Sequence, residues 1–236
     1  MKKRRIWLIP LAVVILAAAF LLYTGVYYHA DGTAEAALIS DGSVQVARTG
    51  YGWFFDGPSE ESALVFYPGA KVEERAYAPL CRRLAQAGMD VYLVRMPFRL
   101  AFFGANRAEK LVGSGAYERW YVGGHSLGGV FAASWAAKHG DEIDGLVLLA
   151  SYSAAKVDDG LQTLLVCGSE DGVLNMERYR ESRKNLPADA SELVIEGGNH
   201  AQFGSYGEQK GDGQAAIPAE RQLEETAAAI MAMTGG

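Results

Sequence analysis

Trp120-Tyr121-Val122-Gly123-Gly124-His125-Ser126-Leu127-Gly128-Gly129-Val130 is a short apolar run that ends in a serine framed by glycines and continues as a helix-forming stretch. It reads as strand, tight turn, helix. A serine whose hydroxyl must stand clear of its own chain needs a strained turn, and neighbours without side chains at Gly124 and Gly128 let strand and helix approach closely. The serine then sits at a helix N-terminus, where unpaired amides and the helix dipole favour the negative oxygen that forms when a carbonyl is attacked.

Outward from this stretch, apolar runs at 63–67, 89–95, 119–123, 143–150, 161–167 and 192–195 alternate with helical patterns at 72–87, 100–111, 127–139, 176–185 and 218–233. An initial hairpin, 44–48 and 53–55, precedes them. Strands that are apolar throughout and alternate with helices imply an α/β fold, with a mostly parallel central sheet and helices on both faces. In such sheets, sites gather where strands end at their carboxyl edges.

The chain of 236 residues is half hydrophobic, enough for one domain of about 200 residues with a full core. Its formal charge is -6, and without Lys2, Lys3, Arg4 and Arg5 the remainder is more acidic still. Nucleic acid is therefore excluded as an expected partner, because binding phosphate backbones relies on clustered Lys and Arg. After those four basic residues, 6–28 is apolar with only Pro10 and Thr24 interrupting, and about 20 such residues span a hydrocarbon core. Secretory signal peptides have shorter apolar regions ending in a small-residue cleavage site. The expectation is an uncleaved single-pass anchor: 1–30 holds a cytoplasmic basic stub and transmembrane segment, and the positive-inside tendency puts the following domain outside the cell membrane. Residues 31–43, polar and rich in small side chains, read as a linker to a domain over 44–236. Cys81 and Cys167 are the only thiols and form no disulfide framework; both read as buried small apolar residues.

Ser126 is a weak nucleophile near neutral pH unless a base, usually histidine oriented by a carboxylate, takes its proton. Of the four histidines, His29 belongs to the anchor exit, and His125 adjoins the serine so that its side chain should leave on another side. His139 closes the helix after Ser126, about 18 Å away at 1.5 Å per residue. His200 remains, in the glycine-flanked loop Glu196-Gly-Gly-Asn-His-Ala-Gln-Phe-Gly204 directly after the last strand. For the carboxylate, Cys167-Gly-Ser-Glu-Asp-Gly-Val173 follows another strand end and offers Glu170 and Asp171; Asp171, short and beside Gly172, is favoured over Glu170.

Gly124-His-Ser-Leu-Gly128, Gly168-Ser-Glu-Asp171 and Gly198-Asn-His200, in the chain order nucleophile, acid, base, resemble the alpha/beta-hydrolase family across nearly everything after 43. The resemblance is to its small, lidless bacterial esterases and dienelactone-hydrolase-like proteins. It implies a Ser126, Asp171, His200 triad and an oxyanion hole from the backbone amide of Leu127 plus one amide after the 63–67 strand, Ala70 or else Lys71. A proline, Pro68, stands where a histidine commonly precedes the glycine of that loop, and serine replaces the cysteine nucleophile of a dienelactone hydrolase proper. Lids in this family commonly follow the strand corresponding to 143–150; here only 151–160 separates it from the next, so no large lid is expected.

The activity so implied is hydrolysis of a small-molecule carboxylic ester through an acyl-enzyme, by a monomer needing no cofactor. A peptidase, thioesterase or acyltransferase on the same fold, or a noncatalytic surface-binding domain, are the alternatives. His, Cys, Asp and Glu show no paired spacing of the kind zinc uses, and Gly211-Asp212-Gly213 reads as a flexible turn rather than a calcium loop. Met96, Pro97, Phe98, Leu100, Phe102 and Phe103 either line an acyl pocket or pack the next helix. Lys71, Arg95 and Lys210 are either solvated surface charge or partners for an acidic substrate group, and Tyr206 is undecided.

Overall fold

The computed structural model describes residues 8–59, 61–115 and 117–235. Its centre is an eight-stranded sheet in the order β1-β2-β4-β3-β5-β6-β7-β8, formed by β1 (Gln45–Arg48), β2 (Gly52–Asp56), β3 (Ser62–Tyr67), β4 (Met89–Val94), β5 (Arg119–His125), β6 (Gly145–Leu149), β7 (Gln162–Gly168) and β8 (Ser191–Ile195). The first two strands pair antiparallel, as does β2 with β4; every pair from β4 to β8 is parallel. The helices are α1 (Leu8–Gly25), α2 (Gly32–Ala37), α3 (Ala78–Gln86), α4 (Leu127–Ala136), α5 (Met176–Ser182) and α6 (Ala219–Thr234).

Why the inner strands are apolar at every position follows from their two faces. Leu64 and Phe66 of β3 join the core under α3 and α6, while Ala63, Val65 and Tyr67 join the core under α4 and α5; all five are fully buried. Cys81 belongs to the first core and Cys167 to the second, so the free, buried thiols lie on opposite sides of the sheet. After β3 the chain moves to β4 on one side and then returns to β5 on the other. That reversal opens a crevice at the carboxyl ends of β3 and β5, where ligands bind in open α/β sheets.

Three expectations change. The stretch 31–43 is structured rather than a plain linker: Asp31 caps α2 by accepting from the Thr33 and Ala34 amides, and Ala34 and Ala37 are buried towards α3. The helix expected at 100–111 is a chain of short 3-10 turns, Pro97–Arg99, Ala101–Gly104 and Ala108–Lys110. Pro97 and the positive φ angles of Phe98 and Arg99 break any regular helix there. The helix expected from 72 begins only at Ala78, after a 3-10 turn at Glu74–Tyr77, because Val72 is taken up in a bridge with Tyr28.

Of the expected anchor, Lys2, Lys3, Arg4, Arg5, Ile6 and Trp7 lie outside the described residues. Its described part, α1, has 18 residues and ends at Gly25 rather than Tyr28. At 1.5 Å per residue it rises about 27 Å, against a hydrocarbon core of about 30 Å. Among the described residues no helix is long and apolar enough to cross a membrane.

Candidate active site

Ser126 joins β5 to α4 with φ 53° and ψ -128°. A non-glycine residue in that region carries strain of about 1–3 kcal/mol and persists only where its surroundings hold it. Here the holding contacts are explicit. The Ser126 amide donates to the Leu149 carbonyl at 2.9 Å, and the Ser151 hydroxyl donates to the Ser126 carbonyl at 2.7 Å. Both flanking glycines are required by space: a Cβ on Gly124 would meet the Tyr67 carbonyl oxygen at 2.6 Å, and one on Gly128 the Pro68 oxygen at 2.3 Å.

His200 follows β8, as expected, and Asp171 follows β7. The His200 Nδ1–H donates to the Asp171 carboxylate, at 2.9 Å from Oδ2 and 3.1 Å from Oδ1, and both side chains are only 1% exposed. Asp171 is fixed in turn by the Val173 and Leu174 amides, which donate to its Oδ1 at 2.9 and 2.8 Å. Glu170 is exposed and accepts only from the Ser169 hydroxyl, so the choice between the adjacent acids falls to Asp171. With its Nδ1 proton committed to Asp171, His200 keeps Nε2 as an acceptor, and this buried atom has no hydrogen-bond partner. His200 and Ser126 line one small cleft of about 150 Å³ together with Leu127, Val130, Tyr152 and Leu174. No hydrogen bond joins His200 Nε2 to the Ser126 hydroxyl among the described residues.

Leu127 opens α4, so its amide has no intrahelical acceptor. In the loop after β3, the Lys71 amide donates to the Arg99 carbonyl at 2.8 Å and the Gly69 amide to Tyr77 Oη at 3.0 Å. Ala70 alone among these three has an amide with no acceptor among the described residues, which removes Lys71 as the competing donor.

His125 does not turn away from this centre. Its ring lies 4.5 Å from that of His200, centroid to centroid, and its Nδ1 lies 2.8 Å from Tyr77 Oη. Burial pushes the Tyr77 phenol above its ordinary range, so its O–H stays intact and donates to Nδ1, which leaves the His125 proton on Nε2. Burial, and then the neighbouring His200, hold the His125 pKa well below the usual histidine value.

Two residues here escaped the reading of the sequence. Tyr77 bridges the loop amide of Gly69 to His125, a link that its place in an expected helix does not reveal. Asp212, expected in a flexible turn, accepts from the Gly172, His200 and Gly213 amides on Oδ1 at 3.1, 3.2 and 2.8 Å, and from the Ala201 amide on Oδ2 at 2.8 Å. One carboxylate thus ties the Asp171 loop to the His200 loop. The glycines around Asp212 were the available signal. A Cβ on Gly213 would meet the Glu170 carbonyl oxygen at 1.9 Å, so close packing, not flexibility, sets that glycine.

The remaining candidates lie apart from the cleft. Lys71 Nζ rests over the Tyr23 ring, and Phe98, Phe102 and Phe103 are exposed beside α1. Tyr206 is buried and stacks near Tyr28 and Tyr77. A cleft of about 890 Å³ lies behind the His200 loop, between α2, α3 and α6, and contains none of Ser126, Asp171 and His200. Among the described residues no group of three or more His, Cys, Asp or Glu is arranged to hold a metal ion.

Solved structures with this arrangement of elements are similar to the chain at low identity. A predicted CIB-like hydrolase from Thermoplasma acidophilum is 16% identical at a TM-score of 0.57, covering 80% of this chain and 98% of its own. A dienelactone hydrolase from Anabaena variabilis is 13% identical at 0.60, covering 80% and 98%. Est1E from Butyrivibrio proteoclasticus is 14% identical at 0.53, covering 83% and 100%. No curated protein shows significant similarity to the chain. The family model described as "Alpha/beta hydrolase family" matches residues 63–224, well over half of the sequence and all of it from β3 through the His200 loop into α6, and on that match the chain belongs to the alpha/beta hydrolase family.

Proposed function

We propose that this family member is a serine hydrolase of carboxylic esters, tethered to the cell membrane by its N-terminal segment with the catalytic domain on the extracytoplasmic side. One observation carries the catalytic reading: a buried histidine has its Nδ1 proton bonded to a buried carboxylate, and its free Nε2 lines the cleft that holds a strained serine. In the first half-reaction His200 Nε2 takes the Ser126 proton as the hydroxyl oxygen bonds to the ester carbonyl carbon. Asp171 holds the imidazole and stabilises its charged form. The amides of Leu127 and Ala70 receive the oxyanion. The ester C–O bond then breaks, His200 gives its proton to the departing alcohol, and a water molecule repeats the sequence to release the acid. The anchoring reading rests on the apolar, broadly exposed α1 and the basic residues that precede it.

The test is turnover of a short-chain aryl ester together with labelling by a fluorophosphonate probe. Ser126→Ala is expected to lose labelling entirely and turnover by about 10⁴-fold or more. Retained turnover would falsify the assignment. A panel of ester, thioester, amide and alcohol-acceptor substrates identifies the acyl transfer that the chain prefers.

A further inference from the structure

We propose that α1 and the aromatic loop carrying Phe98, Phe102 and Phe103 form one continuous surface that seats in a lipid leaflet, so that the substrates are esters drawn from the bilayer. The substrate part of this rests on the ester-hydrolase reading above; the seating does not.

The helix itself excludes a one-sided partner. Val13, Val14, Ile15 and Leu16 are consecutive and each more than half exposed. At about 100° per residue they point to every side of α1, so an apolar surround is needed all round, not a groove on one flank. The last turns of the helix are knitted to the catalytic domain. Phe20 packs edge-on against Phe98 and Phe103, at 5.1 and 5.8 Å between centroids. Lys71 lies over the Tyr23 ring and Arg99 over the Tyr27 ring.

These contacts set a depth. Tyr23, Tyr27, Lys71 and Arg99 make up the mixed aromatic and cationic belt that suits a headgroup layer. Phe20 precedes Tyr23 by three residues, so it lies about 4.5 Å deeper along the axis. Phe98 and Phe103, which touch Phe20, therefore fall below the belt with it, among acyl chains. Phe98, Phe102 and Phe103 are 46%, 68% and 45% exposed, an uncommon arrangement for three clustered rings in contact with water. Phe98 and Arg99 both have positive φ, a strained pair that holds the loop in this form.

The surface leads to the site. The Lys71 amide donates to the Arg99 carbonyl, joining the aromatic loop to the Ala70 loop. On the other side Phe102 meets Phe131 of α4, next to Val130 in the lining of the Ser126 cleft. An acyl chain leaving the leaflet along these rings would arrive at Ser126 without crossing open water.

The experiment uses the full chain in vesicles of phosphatidylcholine and phosphatidylglycerol. Cys81 and Cys167 are buried, so a nitroxide reagent selects an introduced thiol, at Phe102→Cys or, in the exposed turn before the amino end of β7, at Asp159→Cys. The label at 102 is expected to collide with oxygen and be shielded from a water-soluble nickel complex; the label at 159 is expected to do the reverse. Equal access of the nickel complex to both labels overturns the seating. So does spin–spin broadening at 102, which would reveal a second copy of the chain on this face. In a second arm, Phe102→Asp is expected to cut turnover of a vesicle-embedded long-chain ester by about ten-fold or more while leaving a soluble short-chain ester unchanged. Equal loss, or no loss, on both esters overturns delivery from the bilayer. A parent chain inactive on both esters overturns the hydrolase reading instead, one active on the soluble ester alone overturns delivery from the bilayer, and the label at 102 still decides the seating.

Discussion

At the scale of single residues, His125 is the most constrained titratable group beside the centre. It is neutral in the folded protein because burial and His200 both oppose its protonation, whereas in the unfolded chain it protonates near the ordinary histidine value of about 6.5. The unfolded state therefore binds more protons below that value. Stability is retained above it and is lost as the pH falls towards the depressed folded value, by up to about 1.4 kcal/mol per pH unit from this residue. Denaturant unfolding between pH 7.5 and 5 should show this loss, with a shallower slope in His125→Asn, whose side-chain oxygen can still accept from Tyr77. Ser126, Asp171 and His200 were legible in the sequence because each is a chemically distinct residue in a glycine-marked loop at a strand end. The depressed pKa of His125 was not, because it arises from burial and then from His200, remote in sequence and adjacent in space.

At the scale of elements, the two loops that carry Asp171 and His200 are one assembly. The Cβ that Gly168 lacks would meet the Gly198 carbonyl at 2.2 Å, and the Glu170 amide donates to the Gly198 oxygen at 2.8 Å. Asp212 adds bonds across the same seam, accepting from the Gly172 amide on one side and from the His200 and Ala201 amides on the other. Removing that carboxylate in Asp212→Ala leaves the amides of the buried His200 and Ala201 unpaired and lets His200 shift relative to Asp171. The expected result is a fall of about 10- to 100-fold in kcat with KM little changed, measured on a soluble aryl ester. The parallel strands were readable from the sequence because both faces of each are buried, so the apolar runs are continuous. The stretch 100–111 was misread because its apolar residues mimic a helical stripe, while the chain enters it through Phe98 and Arg99 at positive φ and continues as short 3-10 turns. The stretch 31–43 was misread because alanines that look indifferent in sequence are small enough for α2 to lie close on α3.

At the scale of the whole molecule, the chain just after α1 is woven into the rim of the site. The Tyr28 amide donates to the Lys71 carbonyl at 2.7 Å, the Glu73 amide to the Tyr28 carbonyl at 2.9 Å, and the Asp31 amide to the Ser205 carbonyl at 3.0 Å. A chain beginning at residue 26 keeps this seam, whereas one beginning at residue 34 loses it. Soluble-ester turnover should persist in the first and fall about ten-fold in the second, because the stretch around Tyr28 that bridges to the Ala70 loop is gone; kcat/KM of the two truncated chains decides it. The segment that follows α1 and the sheet domain are therefore a single mechanical unit, not a body on a loose leash. The placement of the two cysteines has a different reach. With Cys81 and Cys167 buried in separate layers and an intact sheet between them, the mature protein contains no bond that an oxidant must make or a reductant can break. The native state of the described residues therefore rests on no disulfide and needs no disulfide-forming machinery.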